Sequence, residues 1–333
     1  MPTLLNINFG FVSVLITSNK KPATRNQRKM KVFAPASIGN VAVGFDVLGL
    51  CLTNPGDEII IKESRTPGVT ISKITGGKTL PRDPAKNTAG VAAQAVLNHL
   101  GTKTGVDLEI RKKMPAGSGL GSSAASAVAG AMAVNEFLGN PLTKRELLPF
   151  AMQGEELASK AYHADNVAPS LFGGLILIRD NPTLDFHRVY TPDGLYLTLV
   201  CPNVQILTAD SRAVLSDTVP LKTAIKQSAN LSNFVLGMIN SDFGLIGRSL
   251  EDVMIEPQRA KLIPQFYEVK EAALKAGAMG CSISGAGPTI FAMSQNSYEA
   301  EAIEQAMKAV YKKVKIRCKT YISEINREGA IRC

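Results

Sequence analysis

The residues best equipped for chemistry lie together in Pro115-Ala116-Gly117-Ser118-Gly119-Leu120-Gly121-Ser122-Ser123-Ala124-Ala125. Three glycines within five positions let successive backbone N–H groups turn toward one anion. Ser122 and Ser123 stand where a helix should open, and a helix N-terminus attracts phosphate. A serine hydroxyl there can also reach Mg²⁺, which takes oxygen ligands together with phosphate oxygens. The competing reading is a glycine turn that only lets strand and helix pack closely. The spacing is not that of a Walker loop, because no lysine follows the last glycine. Nor is it a dinucleotide fingerprint, since no acidic residue follows about 20 positions later near a strand end.

Two further loops carry polar groups between glycines. Ser284-Gly285-Ala286-Gly287-Pro288-Thr289 lies between two short apolar runs and, taken alone, reads as a hairpin turn. Ala34–Gly49 is punctuated by Gly39, Gly44 and Gly49, with Asn40 and Asp46 as its strong polar groups. Asn and Asp in loops are usually turn formers. Their apolar surroundings here point to ligand contact as well.

The elements that must hold these loops follow from periodicity. Strands are expected at Lys31–Phe33, Glu58–Ile61, Val106–Arg111, Leu171–Ile178, Leu195–Cys201, Ser282–Ile283, Ile290–Ser294 and Arg317–Ile325. Helices are expected at Ala89–Leu100, Asp217–Asn240, Pro264–Ala276 and Tyr298–Val310. The helix over Ser123–Leu138 is apolar nearly all round and should be central and buried. Thr143 and Glu146 form a capping box opening the next helix, which should run to about Tyr162. Strands and helices mix without strict alternation, which predicts two α+β domains rather than a doubly wound sheet. The boundary is placed near Asp193-Gly194, giving domains over 30–193 and 194–333.

Composition narrows the class. The chain has 333 residues, 45% hydrophobic and 20% charged, as in an ordinary globular protein. No stretch approaches the ~20 apolar residues of a membrane span. The net charge is +9, but five of those charges (Lys20, Lys21, Arg25, Arg28, Lys29) sit in the first 29 residues, leaving +4 for the remainder. That mild excess suits anionic small molecules. No basic stripe is interleaved with aromatics and Trp is absent, which argues against nucleic acid. Residues 1–29 are expected to be a disordered extension or an over-long start ahead of Met30. Their positive charges follow the apolar part, the reverse of a signal peptide. Cys51, Cys201, Cys281, Cys318 and Cys333 form no CxxC and are odd in number, as in a reduced, cytoplasmic protein.

Taken together, the three loops resemble the signature motifs of the GHMP kinase superfamily, in matching order. The P-x-G-x-G-L-G-S-S-A-A run is highly specific for it. Further segments resemble the homoserine kinases within that superfamily: Ser37-Ile-Gly-Asn40 with Gly44-Phe-Asp46, His163-Ala-Asp165-Asn166-Val-Ala-Pro169-Ser170, Ser211-Arg212, and Glu256-Pro257-Gln-Arg259. The resemblance spans about Met30 to the C-terminus. It implies a ribosomal protein S5 domain 2-like N-terminal domain and a ferredoxin-like C-terminal domain. It further implies transfer of the γ-phosphoryl group of ATP to the hydroxyl of L-homoserine, with Mg²⁺, in a homodimer.

By the same resemblance, Glu155 and one of Ser122 and Ser123 hold the metal. Glu155, Asn166 and Arg212 form the catalytic set. Arg212 and Arg259 clamp the substrate carboxylate, guanidinium being suited to bidentate contact. Asn40, Asp46 and Asp165 receive its ammonium and help orient its hydroxyl, and Gly285 joins this substrate set. His163 also belongs to the substrate-binding set, where it is expected to fix the loop rather than act as base. Asn166 is an amide and cannot take a proton, so the hydroxyl proton is expected to leave to a phosphate oxygen or water. Asn87 is placed at the adenine, although a helix N-cap explains it equally well. Two other readings stay open: a mevalonate-type kinase, which needs no ammonium acceptor, and a non-catalytic ligand-binding relative, which should have lost Glu155 or the loop serines.

Overall fold

The computed structural model describes residues 29–76, 80–160 and 162–333. Apart from Lys29, the extension expected over residues 1–29 lies outside the described residues. The chain opens with β1 (Lys29–Gly39), β2 (Leu48–Ser64), β3 (Gly68–Thr75), α1 (Thr88–His99) and β4 (Gly105–Arg111). Next come α2 (Ser122–Phe137), α3 (Lys144–Ser159), α4 (Val167–Phe172), β5 (Leu175–Asp180) and β6 (Asp185–Val189). The second half contains β7 (Tyr196–Pro202), α5 (Thr208–Ala213), α6 (Leu221–Asn240), α7 (Phe243–Ser249), α8 (Glu256–Arg259) and α9 (Phe266–Lys275). It closes with β8 (Gly280–Ile283), β9 (Ile290–Ser294), α10 (Ser297–Lys313), β10 (Cys318–Glu324) and β11 (Ile331–Arg332).

These strands form two sheets. The first runs β11-β1-β2-β4-β3, with β5 paired to β2 and β6 paired to β5; the second runs β10-β7-β9-β8. Only β3 and β4 pair in parallel among the named strands. Helices α1, α2 and α3 share a core with the first sheet, built on residues such as Ile59, Leu108, Val128 and Leu147. A second apolar cluster joins β7, β8 and β9 to α9 and α10 through Val200, Ile290, Phe266 and Ile303. The α+β expectation holds.

Helix α2 is central and buried, with Ser123 its one residue not fully covered. A helix apolar nearly all round can only sit inside, and this position leaves its N-terminus as the end that meets a cleft. The capping box of α3 is present on both sides, Thr143 Oγ1 accepting from the Glu146 N–H and Glu146 accepting from the Thr143 N–H. The helix ends at Ser159, with Lys160 left-handed at its C-terminus, short of Tyr162.

Three expectations are corrected. Ala34–Gly49 is not one loop: residues up to Gly39 complete β1, and β2 resumes at Leu48, leaving a tight turn over 40–47. Leu171–Ile178 is not one strand. Residues 167–172 are the helix α4, and Gly173 and Gly174 at φ 78° and 75° break it before β5 starts. Strand β10 is not the last, because β11 pairs Ile331 with Phe33 and ties the chain end to β1.

Candidate active site

The phosphate-loop candidate joins the end of β4 to the start of α2. Gly117, Gly119 and Gly121 have φ 63°, 77° and 64°, all in the left-handed region that favours glycine. Two of them also allow close approach. A Cβ on Gly119 would lie 2.4 Å from the Ser284 carbonyl oxygen, and one on Gly121 would lie 2.3 Å from Ser37 Oγ. The N-terminus of α2 has no side-chain cap and no acid in its first turn. Its early N–H groups therefore await an acceptor from outside the helix. Leu120, Ala124 and Ala125 are wholly buried in the core, and the Ala125 N–H is spent on the Gly121 carbonyl. These three shape the loop from behind.

All three glycine-bearing loops lock together. Ser284 Oγ donates to the Gly119 carbonyl at 2.7 Å, and the Thr289 N–H to the Ser118 carbonyl at 3.1 Å. The Ser37 N–H donates to the Leu120 carbonyl at 3.2 Å, and the Gly285 N–H to the Gly39 carbonyl at 3.1 Å. Turn 284–289 is the β8–β9 hairpin expected for it alone, and it also faces the phosphate loop.

Glu155, on α3, meets Ser123 across the α2 N-terminus. Ser123 Oγ donates to Glu155 Oε1 at 3.0 Å, while Glu155 Oε2 is buried without a partner. Burial pushes this carboxyl up to about 7, opposed by the Ser123 hydrogen bond. A hydroxyl and an orphaned carboxylate oxygen beside an anion cradle fit a hard divalent cation that completes its shell with phosphate oxygens. Among the described residues no group of three or more His, Cys, Asp or Glu could hold a metal by itself. Of the two serines, Ser123 is the one bonded to Glu155.

A polar pocket adjoins the cradle on the turn over 40–47. Asn40, Val41, Ala42 and Asp46 all have positive φ, at 68°, 43°, 60° and 61°. Such backbone strain, unusual for a valine, is held in place when surrounding contacts over-determine it. Asn40 Oδ1 accepts from the Asp46 N–H at 3.0 Å, and Asn40 Nδ2 donates to the Gly285 carbonyl at 3.1 Å. Arg212, on α5, donates to Asp46 with both terminal nitrogens, at 3.1 and 2.7 Å. The guanidinium expected at a substrate carboxylate thus faces, in this structure, the carboxylate expected at the ammonium. Arg259 is buried, donating Nε to the Ser211 carbonyl and Nη1 to the Gly285 carbonyl, each at 3.1 Å. Burial and the neighbouring Arg212 lower its pKa to about 10.

Asp165 lies under the same turn. Burial, with Asp46 nearby, pushes its carboxyl up to about 7. Asn166 links the pocket to the cradle: its Nδ2 donates to Asp165 at 3.2 Å, and its Oδ1 accepts from Ser37 Oγ at 2.9 Å. His163 Nε2 is 3.7 Å from Asp46, its Nδ1 is buried without a partner, and burial pushes its pKa down. Asn87 caps α1, accepting from the Ala89 and Gly90 N–H groups and donating to the Pro81 carbonyl. Both ends of its amide are therefore occupied. Apart from Pro115 and the three core residues of the loop, every candidate side chain or glycine named above lines one cleft of about 530 Å³.

Several contributors were assigned no individual role by the sequence reading. The guanidinium of Arg259 lies 4.9 Å, and that of Arg212 5.4 Å, from the centre of the Phe45 ring. Phe45 thus spaces the two cations. Lys112 and Ser37 bond to the cradle, Lys112 to the Ser122 carbonyl and the Ser37 N–H to the Leu120 carbonyl. Lys112 follows a strand of alternating charge, which hid it among surface residues.

The chain matches known proteins over most of its length. Residues 87–174 match the GHMP kinases N terminal domain and residues 233–313 match GHMP kinases C terminal. The homoserine kinase of Chlorobium phaeobacteroides is 46% identical over 311 residues, covering 90% of this chain and 97% of that protein. The crystal structure of homoserine kinase from Cytophaga hutchinsonii aligns with a TM-score of 0.90 at 45% identity, over 98% of this chain and 100% of that one. The L. major mevalonate kinase in complex with R-mevalonate, at a TM-score of 0.69 and 19% identity over 91% of this chain and 98% of that one, shares the fold. The chain belongs to the homoserine kinases of the GHMP kinase superfamily.

Proposed function

We propose that the chain transfers the γ-phosphoryl group of ATP to the hydroxyl of L-homoserine, giving O-phospho-L-homoserine and ADP. The observation that carries the reading is the single cleft in which an uncapped helix N-terminus adjoins a pocket of mixed charge. Phosphoryl transfer needs positioning and charge neutralisation more than covalent help. The N–H groups around Gly117–Ser123 cradle the nucleotide phosphates. Ser123 and Glu155 would hold Mg²⁺, which neutralises phosphate charge when bound.

The zwitterion is met by both signs of charge. Arg212, with Arg259 behind it, takes the carboxylate; Asp46, Asp165 and Asn40 take the ammonium. On this reading the Asp46–Arg212 pair opens and each partner finds its counterpart on the substrate. Asn166, between pocket and cradle, orients the hydroxyl, whose proton leaves to a phosphate oxygen or to water. Region 30–193 supplies the cradle, and 194–333 supplies Arg212, Arg259 and Gly285. The protein is proposed to work in the cytoplasm as a homodimer, without nucleic acid or membrane. No helix among the described residues is long and apolar enough to cross a membrane.

An ADP-release assay with ATP and Mg²⁺ compares L-homoserine, mevalonate and galactose. L-Homoserine should give turnover and the other two should not; background rates with all three would sink the proposal. In the same assay His163→Ala should keep kcat within ~100-fold, whereas a ~10⁴-fold loss at unchanged KM would assign the proton to the imidazole.

A further inference from the structure

Asp57 lies on β2, wholly buried, and does not line the cleft. It nonetheless touches both ends of the phosphate loop. Its Oδ1 accepts from the backbone N–H groups of Lys113 and Met114, at 2.9 and 3.4 Å, just before Pro115. Its Oδ2 accepts from Ser126 Oγ at 3.3 Å and pairs with the ammonium of Lys112. Lys112, itself 4% exposed at its side chain, donates onward to the Ser122 carbonyl and to Ser126 Oγ, each at 2.7 Å. One carboxylate thereby fixes where the chain leaves β4 and where α2 begins.

A cation near a helix N-terminus is disfavoured by the dipole, and a buried unpaired ion is costlier still. Pairing with Asp57 removes both penalties and lets Lys112 grip the Ser122 carbonyl. The charge of Lys112 also reaches Glu155, where it opposes the effect of burial. Replacing a buried ion pair by apolar groups is often neutral for stability. A pair kept in this place is therefore better explained by the geometry it imposes than by the stability it adds.

We infer that Asp57, acting through Lys112 and Ser126, is a positioning residue that aims the N–H groups of the phosphate loop at the nucleotide. It contacts neither substrate. Its removal should weaken nucleotide binding selectively, because the homoserine pocket is held by the turn over 40–47 and by α5. This inference rests on the nucleotide reading of the cradle.

The test is calorimetric titration of ADP with Mg²⁺, and separately of L-homoserine, into wild type, Asp57→Asn, the double variant Asp57→Asn/Lys112→Met, and Ser126→Ala. Asp57→Asn should raise the Kd for ADP by about 10- to 100-fold, by analogy with the loss when residues that orient metal ligands are removed. Binding of L-homoserine should stay within about twofold. The double variant leaves no buried unpaired charge and should melt near the wild type, yet still bind ADP at least ~10-fold more weakly. Ser126→Ala should shift ADP binding in the same direction by a smaller factor. If Asp57→Asn does not fold, the other two variants decide. A double variant or Ser126→Ala that binds ADP as wild type does, or equal losses for both ligands, would overturn the inference. Failure of the wild type itself to bind ADP would overturn the nucleotide reading beneath it.

Discussion

Glu155 and Asp165 are carboxyls of one cleft, each raised by burial to about 7. Glu155 is raised further by Asp165. The unfolded chain titrates Glu155 near the ordinary 4.5 and the folded chain near 7. Between those values the folded state holds the extra proton, so this group's contribution to stability is present below about pH 4.5 and is lost as the pH rises through 7. Gln is neutral throughout and keeps the shape. Melting followed by circular dichroism should find Glu155→Gln equal to the ligand-free wild type at pH 4 and a few degrees more stable at pH 8. A constant difference across that range would refute the assignment. On the proposed reading, in which Glu155 would hold the cation that neutralises phosphate charge, the variant should also lose kcat. None of this was readable from sequence without the family resemblance, since Glu155 and Glu156 are neighbours of one type on one helix. What separates them is that Glu155 turns to Ser123 while Glu156 is exposed.

At the scale of elements, legibility followed the strength of local patterning. The all-round apolar α2 and the capping box of α3 could be read because each is set by residues within a few positions of one another. Strand β6 and helix α5, short and largely exposed, carry no such pattern. The 171–178 run misled because apolar content does not reveal handedness. Two consecutive glycines with positive φ end a helix there before a strand begins. The phosphate loop was found by its glycines, but the reason for each glycine lies in tertiary contact. Gly119→Ala combines positive φ with a Cβ 2.4 Å from the Ser284 carbonyl oxygen. It should destabilise by more than the ~1–3 kcal/mol of strain alone and abolish nucleotide binding. Gly139→Ala, at φ 92° with nothing within 4 Å, should show the strain only and keep its activity. Equal effects of the two changes on ADP affinity would contradict the packing argument; thermal melts and ADP titrations on both variants decide it.

Across the whole molecule, the site exists because loops from both sheets meet at it, the β1–β2 turn and β4–α2 loop from one and the β8–β9 hairpin from the other. Arg212 and Asp46 are 166 residues apart, Gly119 and Ser284 are 165 apart, and Asn40 and Gly285 are 245 apart. Local pattern cannot report such pairings, which is why the residues could be nominated individually but their contacts could not. The unforeseen pairing of Arg212 with Asp46 belongs to this class. On the proposed reading, substrate capture exchanges this internal ion pair for a zwitterion rather than filling an open clamp. On the proposed function, one cleft brings the phosphates of ATP to the hydroxyl of homoserine. Phosphorus NMR of the protein incubated with ATP, Mg²⁺ and L-homoserine tests this most directly. The γ-phosphate signal should be replaced by that of a phosphomonoester on homoserine, with ADP formed in equal amount. Release of the γ-phosphate as inorganic phosphate alone, or its persistence, would rule out transfer to homoserine in this cleft.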